Sequence, residues 1–100
     1  MIIVMGEFRL KAEVMQKIQS NIDEVIKKSN EESGCISYKF SEAISDPGLI
    51  RVSEKWKSFG DLEKHFQTDH MKKWRKIVQE NGGATSRDVS SYEITLEKEL

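Results

Sequence analysis

Two alternating runs flank the tripeptide Asp46-Pro47-Gly48, and together they leave the chain few ways to fold. From Cys35 to Glu42, Ile36, Tyr38 and Phe40 alternate with Cys35, Ser37, Lys39 and Ser41, the period-two pattern of a strand with unlike faces. Proline fixes its own φ and glycine tolerates positive φ, so the chain reverses there before Leu49 to Lys57 alternates in turn. An antiparallel hairpin is the expected result. In its second strand Ile50, Val52, Glu54 and Trp56 share a face, which sets a carboxylate among apolar neighbours. Burying an unpaired carboxylate is costly, so Glu54 is expected to serve a polar role in a cavity or interface.

The elements around the hairpin follow from the same kind of pattern. Ile2 to Arg9 opens on β-branched residues suited to a central strand, with Gly6 marking a bulge or a close approach. From Ala12 to about Ser29, Val14, Ile18, Ile22 and Ile26 recur every four residues, which predicts one amphipathic helix. Ser58, three residues before Asp61, resembles a capping box and starts a helix near Phe59. Thr68 re-caps a second segment whose stripe of Met71, Trp74, Ile77 and Val78 runs to Asn81-Gly82-Gly83. Val89 to Glu97 then alternates, with Tyr92, Ile94 and Leu96 on one face, as a last strand. Strand, helix, strand, strand, helix, strand with right-handed crossovers predicts an α+β, ferredoxin-like domain. Both helices would cover one face of a four-stranded antiparallel sheet. The even-numbered residues are expected to form the apolar face of all four strands.

Length and charge bound the class. One hundred residues are expected to form a single domain, residues 1–100, small enough that covering a whole sheet face alone is difficult, so self-association is anticipated. A net charge of -1 with acids and bases interspersed offers no footprint for nucleic acid or an anionic membrane. The basic run Lys72-Lys73-Trp74-Arg75-Lys76 carries Trp74 on the apolar stripe and reads as a solvated helix face. The single Cys35 cannot form an internal disulfide and fits a reducing cytoplasm. The apolar start from Met1 to Met5 stops at Gly6 and Glu7, too soon for a signal-peptide core or a membrane span.

Gly34-Cys35-Ile36-Ser37-Tyr38, the Asp46-Pro47-Gly48 turn, Glu54-Lys55-Trp56, and Leu62-x-x-His65 with Asp69-His70-Met71 together resemble the antibiotic biosynthesis monooxygenase domain. The resemblance is densest over Gly34 to Trp74, and the element order extends it along the chain. It implies a homodimeric α/β barrel in which two protomers pack sheet to sheet, each keeping a small-molecule cavity between sheet and helices. Its relatives include oxygenases of quinols and anthrones that use no cofactor, a haem-degrading branch, and an isomerase-like branch acting on a phosphorylated signalling dione. The haem-degrading pattern fits this sequence badly. Its axial histidine would fall at about Arg75, its pocket tryptophan near His65, and its strand-one asparagine has no counterpart at Glu7 or Phe8.

A cofactor-free oxygenase needs a base, a dry pocket and orienting donors. His65 and His70 are candidate bases because imidazole titrates near neutrality, and Glu54 is a candidate to orient a histidine or to take the proton itself. Tyr38, Trp56 and Phe66 are candidate substrate contacts, although side chains such as Trp56, Phe66 and Trp74 are more often core than substrate platform. His65 and His70 lie five residues apart, not the three or four that put two ligands on one helical face, so no metal is expected. Cys35 has no identifiable base beside it and is expected to be inert. The expected function is oxidation of a small phenolic, quinol or anthrone-like compound by O2. The alternatives are an isomerase or tautomerase of a small carbonyl compound, and a non-catalytic ligand-binding or dimerisation module.

Overall fold

A computed structural model describes residues 1–100. Its elements are β1 (Ile2–Arg9), α1 (Ala12–Lys17), α2 (Gln19–Asn30), β2 (Cys35–Glu42), β3 (Leu49–Trp56), α3 (Phe59–Phe66), α4 (Asp69–Glu80) and β4 (Ser86–Glu93). The strands form one antiparallel sheet in the order β2-β3-β1-β4, the ferredoxin-like topology. All helices lie on one side. Ile2, Val4, Tyr38, Val52 and Trp56 of the sheet pack with Leu62 of α3. A second cluster joins Leu10, Ile18, Ile22, Val25 and Trp74 under the helices. Fully burying one such aliphatic side chain contributes roughly 1.5–3 kcal/mol, so these two clusters account for the docking of the helices on the sheet.

The first helix is bent where the sequence predicts a single run. Ile18 leaves helical geometry (φ -108°, ψ 19°) and separates α1 from α2. Hydrogen bonds continue across the bend, from Ile18 N–H to the Val14 carbonyl and from Ile22 N–H to the Ile18 carbonyl. The bend seats Ile18 in the core with Leu10 and Trp74.

The last strand is shifted from its expected place. It runs over Ser86–Glu93, and its register sets Val89 opposite Gly6, Ser91 opposite Val4 and Arg87 opposite Phe8. The odd-numbered residues of β4 therefore face the helices, so the even-numbered apolar face fails for this strand. Tyr92 pairs with Ile3 on the far face and is 54% exposed. Of the alternating Tyr92, Ile94 and Leu96, only Tyr92 lies in the strand, on the face away from the helices; Ile94 and Leu96 lie beyond its end at Glu93. A register irregularity between Cys35 and Ser37 likewise turns Cys35 toward the core and leaves Ile36 48% exposed, reversing the parity expected at that end of β2.

Two glycines permit close approaches. β1 and β4 stay in continuous register past Gly6, where any Cβ would overlap the Asp88 carbonyl oxygen, so the residue serves a close approach and not a bulge. At Gly34 a Cβ would overlap the Asp61 side chain at the start of α3. That second contact fixes the turn between α2 and β2 against α3. No helix is long and apolar enough to cross a membrane.

Candidate functional site

Helix ends and one strand edge bring the site together. The Ser58 hydroxyl accepts from Asp61 N–H (3.1 Å) and donates to the Asp61 carboxylate (2.9 Å), the expected cap of α3. At the corner between α3 and α4, Thr68 Oγ1 donates to the His65 carbonyl (2.8 Å) and accepts from Met71 N–H (3.3 Å). His65 thus lies in the last turn of α3 and His70 in the first turn of α4. On the facing side, Asn30 at the end of α2 pairs with the backbone of edge strand β2. Its Nδ2 donates to the Tyr38 carbonyl (2.9 Å), and its Oδ1 accepts from Tyr38 N–H (3.0 Å). The clamp holds the turn carrying Glu32, whose carbonyl accepts from Cys35 N–H (3.0 Å).

Between the sheet and the α3–α4 pair lies a mostly apolar cavity of about 790 Å³. Val4, Tyr38, Val52, Leu62 and Phe66 contribute to its wall, and its ionisable groups are Glu54, His65, Arg75 and Arg87, besides the Tyr38 phenol. Glu54 is 7% exposed, and its Oε1 accepts from the Trp56 indole N–H at 3.0 Å. Burial pushes this carboxyl up to about 7, against the indole hydrogen bond and the charge of Arg87, which both favour the anion. Burial also lowers the basicity of His65, opposed by Glu32. The Tyr38 phenol is raised above its ordinary value, first by burial and then by the charge of Glu54, so it is a neutral hydroxyl.

The sequence candidates separate into groups. Glu54, His65, Tyr38 and Phe66 line the cavity. Trp56 does not; it is wholly buried beneath the site, with its ring centroid 4.6 Å from that of His65 and its N–H on Glu54. It supports both proton-transfer candidates from behind. His70 lies outside the cavity, in a polar groove with Glu24, Lys28, Gln67, Thr68, Asp69 and Lys73. Cys35 is half-buried, and burial pushes its thiol up to about 11. Trp74 is core, and Lys73 pairs with Glu24 at 2.9 Å on the outer face.

Sequence reasoning missed Glu32. One of its oxygens, Oε2, lies 2.6 Å from His65 Nδ1 and 2.8 Å from His70 Nε2. Nothing in a polar turn reading Asn30-Glu31-Glu32-Ser33-Gly34 distinguishes Glu32 from Glu31; only tertiary closure does. Two imidazoles and a carboxylate with ligand atoms within 4.8 Å of one another are a donor set that suits zinc or iron. The two short separations, 2.6 and 2.8 Å, are hydrogen-bond distances. Ligand atoms around a zinc ion, each about 2.0–2.2 Å from the metal, stand farther apart than that, so an ion would have to spread the trio.

The fold and cavity define a ferredoxin-like α+β domain with a mostly apolar cavity into whose wall the ionisable side chains of Glu54 and His65 are set. The antibiotic biosynthesis monooxygenase family model matches residues 1–77, and the chain belongs to that family. A Deinococcus radiodurans structure provisionally called an antibiotic biosynthesis monooxygenase superposes with a TM-score of 0.89 at 21% identity, covering 100% of this chain and 98% of the other. One of Nitrosomonas europaea, described in the same provisional terms, gives 0.85 at 18% identity over 96% and 100% of the two chains. A conserved protein of Methanosarcina mazei gives 0.83 at 24% over 94% and 92%. These likenesses establish the fold. An uncharacterised protein of Synechocystis is 30% identical over 69 residues, covering 69% of this chain and 47% of its own length. The chain thus spans about half of that relative.

Proposed function

We propose that this protein is a cofactor-independent monooxygenase that oxidises a small phenolic, quinol or anthrone-like compound with O2. The observation that carries the reading is a neutral imidazole, His65, set in the wall of an apolar cavity with Nδ1 engaged on Glu32 and Nε2 free of partners within the chain. For an anthrone, His65 removes one proton from the reactive CH2, and the anion gives one electron to O2. The resulting radical and superoxide combine at carbon, and the peroxide takes back the proton from His65. Loss of water then leaves a new carbonyl. One oxygen atom enters the product, the other leaves as water, and the substrate supplies all four electrons.

An apolar chamber favours the uncharged phenol or ketone on entry, and Tyr38 offers a hydroxyl donor to its oxygen. The isomerase reading draws on the same walls, because Glu54 and His65 form a pair of proton-transfer groups in one cavity. Oxygen uptake separates the two. The oxygenase consumes one O2 per anthrone above the buffer rate, whereas proton shuffling without uptake would replace it with the isomerase, and binding without turnover with a ligand-binding module.

We place the protein in solution as a homodimer. The sheet face away from the helices exposes Met5 and Tyr92, at 58% and 54%, as apolar residues a second sheet would cover. A half-buried free thiol suits a reducing cytoplasm.

A further inference from the structure

We infer that Glu32 is the positioning residue of the site, holding His65 in the tautomer that presents a bare Nε2 to the cavity, and that His70 locks Glu32 in place from outside. The inference rests on His65 acting as the base. Free imidazole in a histidine side chain prefers its proton on Nε2, which would leave no lone pair facing the substrate. A carboxylate oxygen 2.6 Å from Nδ1 reverses that preference, because the ionised carboxylate only accepts and so demands N–H at Nδ1. The same oxygen stabilises the imidazolium that forms when Nε2 takes a proton, as the buried acid of a serine-protease triad does.

Glu32 sits in a turn, and a turn carboxylate on its own would swing. Three contacts stop it. Gly34 packs against Asp61 with no room for a Cβ, and Asn30 clamps the chain on the other side of the turn to Tyr38. His70 supplies the third, its Nε2–H donating to the same Oε2 at 2.8 Å. His70 does not line the cavity. It faces Glu24 and Lys28 of α2 and Asp69 and Lys73 of α4 across the outer groove, so its contribution passes through Glu32. The five-residue spacing that puts the two histidines on different helices is what lets them approach one carboxylate from two sides.

The test combines a tautomer measurement with kinetics on protein labelled with ¹⁵N-histidine. Two-bond proton–nitrogen spectra should find His65 protonated at Nδ1 in the unaltered protein and shifted toward Nε2–H in Glu32→Ala. With anthrone as the probe, Glu32→Gln should lower kcat about 10²-fold or more with KM little changed, in line with the cost of disturbing such an acid. His70→Gln keeps an N–H donor and should stay within about threefold of the unaltered rate, whereas His70→Phe should lose about tenfold. Thermal melts establish that each variant folds. An Nε2–H tautomer in the unaltered protein, or equal losses in both His70 variants, would overturn the assignment. So would zinc taken up at micromolar concentration with both imidazoles coordinated, which would make the trio a metal centre. If no anthrone is turned over, the oxygenase reading fails while the tautomer measurement still decides the role of Glu32.

Discussion

Replacing Glu54 with glutamine should change how stability depends on pH. The carboxyl titrates near 7 in the folded protein against 4.5 as its ordinary value, because burial penalises the anion. A raised carboxyl pKa means that the unfolded chain releases its proton first. Stability is therefore full below about 4.5 and is lost progressively up to about 7, then stays low. At 1.36 kcal/mol per pKa unit the loss is about 3 kcal/mol, or roughly 10–20 °C in melting temperature for a domain of this size. Glutamine carries no charge and its Oε1 still accepts from the Trp56 N–H, so the variant should not lose this increment. His65 contributes with the opposite sign, since its lowered basicity costs stability as pH falls below about 6.5, but it does so equally in both proteins. The assay is urea unfolding at pH 5 and pH 8.5 at one fixed protein concentration, which also holds any self-association constant. Glu54→Gln should gain about 2.5 kcal/mol on the unaltered protein between the two pH values, the rest of the loss lying below pH 5. Parallel curves would refute the claim that a buried carboxylate is strained at this position.

Asn30→Ala removes the clamp on Tyr38 and leaves buried backbone groups unpaired, so chemical denaturation should register a loss of about 1–3 kcal/mol. Gly34→Ala forces a Cβ into Asp61; a melt should fall by several degrees, and Asp61→Ala in the same chain should restore most of it. Met5→Glu with Tyr92→Glu places charge on the outer sheet face and should turn a sedimenting dimer into a monomer; a monomer before substitution would refute the homodimer. The rate of anthrone oxidation should hold below pH 6.5 and fall only as His65 becomes charged; a fall centred at 6.5 or above would point to an exposed base.

The hairpin and the capped helices were legible in the sequence because their signals are local. Period-two alternation, a proline-glycine turn and hydroxyl caps each act within a few residues. The last strand was misplaced for the opposite reason: alternation reveals that two faces differ, but only pairing with β1 decides which one the helices cover. Glu54 could be singled out because a carboxylate interrupts an apolar row. Glu32 could not, because its importance comes from histidines 33 and 38 residues away in sequence, and a turn glutamate carries no local mark of that contact. Residue type and local spacing make Trp56 and His70 candidates for the site, but the fold puts one behind the cavity wall and the other outside it.

Oxidation of anthrone under ¹⁸O2 bears most directly on the proposed chemistry. One labelled atom should appear in the new carbonyl of each product molecule, at a rate that His65→Ala reduces by at least 10²-fold. Unlabelled product, or labelling at the same rate with His65 removed, would contradict the account.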